Sequence, residues 1–271
     1  MIGFKKTATV VLLVGLGFAG TTQAMLVDRG NGLLYDNVLD VTWLQDANYA
    51  HTSGYAGANS SGQMDWSTAM TWAADLVYGG YSDWRLASNS PVNGSNFNYN
   101  LSYNGSTDYG PNITSPHSEL AYMYHVNLGL KDYYNTAGNV QSDFGIFGNG
   151  TTNGVDMTSD GQTNVGLVNN LQSFVYWSNN VYAPNLDYAW DFDTHYGVQD
   201  YNYKKIQYNV QLYAWAVHPG DVSNTSTVPE PSIIWLFASG LGLLSLTSRK
   251  KSDNYAFKET LATDKTKQYT R

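Results

Sequence analysis

Residues 206–217 read IQYNVQLYAWAV, in which Tyr208, Val210, Leu212, Ala214 and Ala216 fall on one side of an extended chain and Asn209, Gln211, Tyr213 and Trp215 on the other. That period of two is the signature of a strand. SFVYWS at 173–178 and DYAWDFD at 187–193 have the same β-branched and aromatic character, so the last third reads as antiparallel strands. The first half reads differently. Segments 33–35 and 41–44 predict a short hairpin turning near Asp36-Asn37. Asp65 then caps a helix on which Trp66, Ala69, Met70, Ala73, Leu76 and Val77 recur at helical spacing, with Gly79-Gly80 as the stop. Ser115 and Pro116 open a second helix, with Leu120, Met123, Tyr124 and Leu128 inward and Gly129 beyond its end. Helices early and strands late predict an α+β fold, not a doubly wound sheet. The Asn/Ser/Gly/Tyr-rich stretch at 88–112 carries neither period and reads as a long loop, and a second, glycine-rich stretch at 144–166 precedes the last third.

The chain has 271 residues, ample for a core, and no cysteine, which excludes a disulfide scaffold, a thiolate metal site and a cysteine nucleophile. Its net charge is −8, but nine of the 14 basic residues lie in the two tails. Residues 25–231 hold five basic against nineteen acidic residues, a net of −14. Such a surface repels phosphate backbones, so nucleic acid is excluded as a partner.

Both ends read as addresses. Lys5-Lys6, an apolar run of about a dozen residues and TTQA make a secretory signal peptide over 1–24, cut between Ala24 and Met25. At the other end, Pro229-Glu230-Pro231 introduces an apolar segment, 232–248, long enough to span a bilayer. Arg249, Lys250 and Lys251 follow it and hold the far end cytoplasmic. This tripartite pattern resembles the PEP-CTERM sorting signal of Gram-negative bacteria. The resemblance implies an exosortase as partner, an inner-membrane intermediate anchored by the C-terminal helix, and delivery to the cell surface or an exopolysaccharide-rich matrix. A sorting signal at 229–251 leaves a linker at 222–228 and a polar cytoplasmic tail at 252–271.

The intervening residues, 25–221, form one domain. The segments GLLYDNVLDVTWLQDA, DWSTAMTWAADLVYGGYSDWRLAS, SELAYM, YWSNN, YAWDFD and LYAWAVHPGD are similar to those of the Lcl C-terminal domain of bacterial surface proteins. The most specific element is the run GYSDWRL at 80–86. This resemblance implies a C-type-lectin-like fold with two short helices, antiparallel strands and long loops. The family is associated with an adhesin domain that binds sulfated glycans, but the −14 balance points to a neutral glycan instead.

Candidate sites follow from residue chemistry. Asp83, Trp84 and Arg85 suit a structural lock, a guanidinium over an aromatic ring paired with Asp83 or another carboxylate. Tyr99, Tyr103 and Tyr109 in the Asn-rich loop are candidates to stack on sugar rings, with Asn and Asp holding hydroxyls. Asp191, Asp193 and His195 alternate, and on one strand face they would suit a metal, with Ca2+ the choice for carboxylates. No nucleophile elbow, phosphate loop or zinc-protease motif occurs. The expectation is a non-enzymatic exported protein that binds exopolysaccharide. Its rivals are a glycan-active hydrolase using two aspartates and a self-associating structural matrix protein; the sequence does not fix the oligomeric state.

Overall fold

The hairpin expected around Asp36 is β2 (Leu33–Asp36) paired antiparallel with β3 (Val41–Leu44). Asp36 organises its turn, accepting the N–H groups of Val38 and Leu39 at 2.9 and 3.0 Å. The computed structural model describes residues 26–146, 163–204 and 210–222. The segments expected to be a signal peptide (1–24), a membrane span (232–248) and a tail (252–271) lie outside them. Among the described residues no helix is long and apolar enough to cross a membrane.

The architecture is α+β, mostly antiparallel sheet with few helices. β2 and β3 join β1 (Leu26–Gly30), β4 (Arg85–Leu86) and β11 (Ala216–Pro219) in a sheet of order β1-β2-β3-β11-β4. A second sheet has the order β5-β10-β9-β8, from β5 (Gly110–Pro111), β8 (Val175–Val181), β9 (Tyr188–Asp193) and β10 (Val198–Tyr203). β6 (Thr163–Val165) and β7 (Val168–Leu171) form a separate ribbon.

Of the strand expected at 206–217, residues 205–209 are outside the described part, and regular pairing begins only at Ala216. Trp177 and Val175 of β8 exchange backbone hydrogen bonds with Tyr213. β11, three residues on, pairs with β3 and β4. The segment therefore passes from one sheet to the other, which explains why Leu212 to Val217 are buried on both sides of the chain despite their alternation. Here the core is densest: Trp43 and Trp215 lie 4.7 Å apart, and the indoles of Trp177 and Trp215 donate to the carbonyls of Met64 and Leu44.

Three short helices complete the described part: α1 (Tyr49–Thr52), α2 (Trp66–Asp75) and α3 (Glu119–Tyr122). Asp65 caps α2 as expected, accepting from Ser67 and Thr68. The helix stops earlier than Gly79-Gly80. Leu76 turns extended and leaves Val77 71% exposed, and the departure lays Tyr78 edge-on to Tyr49 and Trp84. α3 begins at Glu119, not at Pro116, and runs directly into a π-helical turn, Met123–Asn127. Ser118 supplies no cap because its hydroxyl bonds Gln199 of β10.

Candidate functional site

β9 and β10 form a hairpin whose register sorts its side chains, since directly paired residues share a face. Tyr188 with Tyr203, Trp190 with Tyr201, and Phe192 with Gln199 occupy one face. Asp191 with Asp200 and Asp193 with Val198 occupy the other. One face is thus aromatic and the other acidic.

At the turn end of the acidic face lies a cavity of about 470 Å3. Tyr133, Tyr134, Phe144 and Tyr196 supply its aromatic walls, and Asp193 and Asp200 its carboxylates. Phe144 stacks parallel to Tyr196 at 6.1 Å, and Tyr133 stands edge-on to both. The wall is held by Tyr133 N–H donating to the Tyr196 carbonyl at 2.8 Å. Asp193 accepts the N–H groups of His195 and Tyr196 at 2.8 and 3.3 Å, which fixes the hairpin turn and the carboxylate together. Burial is the main reason its pKa is pushed up to about 6, and Asp200 adds repulsion. Burial raises Asp200 as well. Behind them Asp191, only 1% exposed, accepts from Asn202 at 2.8 Å through one oxygen while its Oδ1 has no hydrogen-bond partner. Burial first, then the charge of Asp200, drives its pKa well above the usual carboxylate range.

The metal set expected from Asp191, Asp193 and His195 is not assembled. β9 ends at Asp193, and His195 sits in the turn that follows, so the strand alternation meant to align the three is lost. The His195 ring instead meets Ser173 Oγ at 3.1 Å and Phe144 edge-on. Among the described residues no group of three or more His, Asp or Glu side chains is placed to hold a metal ion.

The tyrosines of the 88–112 loop divide. Tyr99 stacks on Phe97 at 5.9 Å and on Trp190 at 6.1 Å, extending the hairpin's aromatic face. Tyr109 packs on Tyr201 and is half-buried, with its phenol pKa raised by that burial. Tyr103 is 38% exposed and leans edge-on against Tyr134, which lines the cavity. The loop itself is ordered by Asp108, whose carboxylate accepts from Val92 and Asn98 at 2.7 and 2.6 Å.

Of Asp83, Trp84 and Arg85, the last two are packed or paired inside the fold and the first is not. Trp84 is buried against Tyr78 and His218. Arg85 makes a bidentate pair with Glu119, both contacts at 2.7 Å, and Glu119 also accepts the N–H of Ser88. "Another carboxylate" is therefore the right partner. Asp83 is exposed, in the left-handed region at φ 67, and Arg85 also donates to the Leu86 carbonyl; among the described residues the cation–ring contacts belong to Arg29 and Lys204, not to Arg85.

Asp200 and the walls Tyr133, Tyr134, Phe144 and Tyr196 were not among the expected site residues. VQDYNY at 198–203 does alternate, and Gly197, in the left-handed region at φ 74, marks a turn just before it. A hairpin read there would have placed Asp200 beside Asp191. Tyr196 stands in the hairpin turn itself, but nothing local joins it to Tyr133, Tyr134 and Phe144, which come from a segment about fifty to sixty residues earlier in the chain.

Comparison with known families finds the PEP-CTERM protein-sorting motif at residues 227–251. No curated protein and no solved structure matches the chain. The motif spans Pro229, Glu230, Pro231 and the basic cluster Arg249-Lys250-Lys251, and it implies export, exosortase processing and sorting to the cell envelope or surface.

Proposed function

We propose that this exported chain is a non-enzymatic, C-type-lectin-like protein that binds a neutral glycan of the exopolysaccharide through the cavity at the turn end of β9 and β10. The observation that carries this reading is the joint presence there of four aromatic walls and two carboxylates. Aromatic faces take the apolar faces of sugar rings, and carboxyl oxygens take pairs of hydroxyls. The acidic balance of the domain disfavours a polyanionic ligand.

The test is retention of the full-length protein, kept in mild detergent, on immobilised exopolysaccharide from the producing cells. Wild type should be retained with or without chelator. Tyr133→Ala and Tyr196→Ala should each weaken retention about tenfold, the effect of one lost stacking contact. Equal retention of wild type and both variants would refute the site.

One observation favours hydrolysis as the second reading. Asp193 and Asp200 occupy diagonal cross-strand positions, spaced on the order of 7–8 Å, and Asp193, pushed up to about 6, suits a general acid. Release of new reducing ends, lost in Asp193→Asn, would replace binding with turnover. Concentration-dependent assembly of the chain without sugar would instead favour a matrix structural role.

A further inference from the structure

On the other side of the 131–136 segment lies a second cavity, of about 520 Å3, whose chemistry differs from the first. Its lining is amide and hydroxyl: Asn104, Asn112, Asn135 and Gln141 with Thr114 and Thr136. Its charges are cancelled within the protein. Lys131 at the edge pairs with Asp143, and the buried Asp132 is taken up by His125 and the N–H of Asn112.

The His125–Asp132 pair is unusually constrained. Nδ1 of His125 lies 2.7 Å from the Ile113 carbonyl, which can only accept, so Nδ1 carries a proton. Nε2 then faces Asp132 Oδ1 at 2.5 Å, and a second proton must lie between those two acceptors. The pair is neutral overall whichever atom holds that proton. Several irregularities of the backbone serve this wall. His125 is delivered by the π-helical turn Met123–Asn127, a form of helix that is often found at functional sites. Asn112 stands in the left-handed region at φ 61, held by its amide donating to the carbonyls of Tyr103 and Tyr134, both at 2.8 Å. Gly197 lets the hairpin turn approach so closely that a Cβ there would collide with the Asp132 carboxylate.

We infer that this amide-lined cavity over His125 and Asp132 is a second carbohydrate site, taking a neutral polyhydroxylated residue by hydrogen bonds, so that the chain is bivalent. The ligand class follows from the lining: the two threonine hydroxyls and the amide atoms not already bonded within the protein, with no net charge, no aromatic platform and Leu130 as the single aliphatic side chain, suit hydroxyl groups over an anion. The inference rests on the glycan-binding reading for the source of that ligand and not for the cavity. Two sites on opposite sides of one segment would cross-link polysaccharide chains, and their avidity would exceed either affinity alone.

The experiment is calorimetric titration of the full-length protein, in detergent, with tetrasaccharides released from the producing cells' exopolysaccharide. Wild type should show two binding events. Thr136→Leu and, separately, Thr114→Leu fill the second cavity from exposed positions and should weaken one event about tenfold. Tyr133→Ala should remove the other event only. A single event that Tyr133→Ala abolishes and both threonine variants leave intact overturns the second site and spares the first. An event lost in the threonine variants but untouched by Tyr133→Ala sustains the second site even if the first fails. Folded wild type that binds no tetrasaccharide overturns both.

Discussion

Glu119 and Asp191 are both buried carboxylates, 8% and 1% exposed, yet their surroundings are opposite. Glu119 receives two guanidinium N–H groups and one backbone N–H, all at 2.7 Å. Asp191 receives one amide N–H, has an oxygen with no partner, and faces Asp200 directly across the strands. The first arrangement meets its carboxylate with three donors. The second leaves the charged form of Asp191 poorly compensated, so Asp191 holds a proton well above the usual range. The difference separates a structural lock from a sheet face whose three acids are left without a counter-ion among the described residues, the pattern expected of the proposed binding site.

The largest effect should come from breaking the lock. Glu119→Ala leaves Arg85 without its counter-ion and strips the acceptor from Ser88 N–H. Removing one partner of a buried pair destabilises by about 3–5 kcal/mol, and the partial exposure of Arg85, 30% of its side chain, reduces that to about 2–4. Chemical denaturation at pH 7 measures it. A loss below about 1 kcal/mol would show that the lock is decorative and would erase the contrast with Asp191.

The acidic side of the comparison has a pH signature of fixed sign. Asp193 sits near 6 in the folded chain against an ordinary 3.8, so between those values the folded state binds more protons than the unfolded one. Its stabilisation is fully present below pH 3.8 and is lost as pH rises through 6. Asp191, Asp200 and Asp132 are raised and act in the same direction. Stability should therefore fall from pH 5 to pH 8, with about 1–1.5 kcal/mol from Asp193 over that range and the rest of its contribution lost between pH 3.8 and 5. Denaturation midpoints across that range test it. A flat or rising profile would mean that the aspartates are compensated by groups that the hairpin does not show.

The lock was more legible in the sequence than the site, for a physical reason. WRL at 84–86 announces a guanidinium that needs a carboxylate, so the existence of the pair was legible, but its partner was not: Asp83, next to it in the chain, is exposed, and Glu119 lies 34 residues on. The β2–β3 hairpin and the Asp65 cap were legible because their determinants are local. The cavity was not. Asp191 and Asp193 could be singled out by alternation, but that reading extended the strand through His195, where Asp193 caps a turn instead. The walls Tyr133, Phe144 and Tyr196 meet only through long-range packing that no local period encodes. Likewise the passage of 212–217 between two sheets buries both sides of a strand-like pattern, which alternation alone would assign to a half-exposed edge.

The smallest effect is the most discriminating. Asp191→Asn keeps the shape of the side chain, retains an oxygen acceptor for Asn202, and removes a group whose ionisation the site penalises. Where Glu119→Ala should cost several kcal/mol, Asp191→Asn should be neutral at pH 5 and stabilising by about 1 kcal/mol at pH 8, because the amide needs no proton to stay uncharged. It should also flatten the pH profile, since the Asp191 carboxyl no longer contributes its own raised titration. Comparing denaturation of the variant and wild type at the two pH values measures both effects. Destabilisation at pH 8 equal to that of Glu119→Ala would show that the Asp191 carboxylate is used in its charged form. The two buried acids would then be alike, and the site would have to be sought elsewhere on the hairpin.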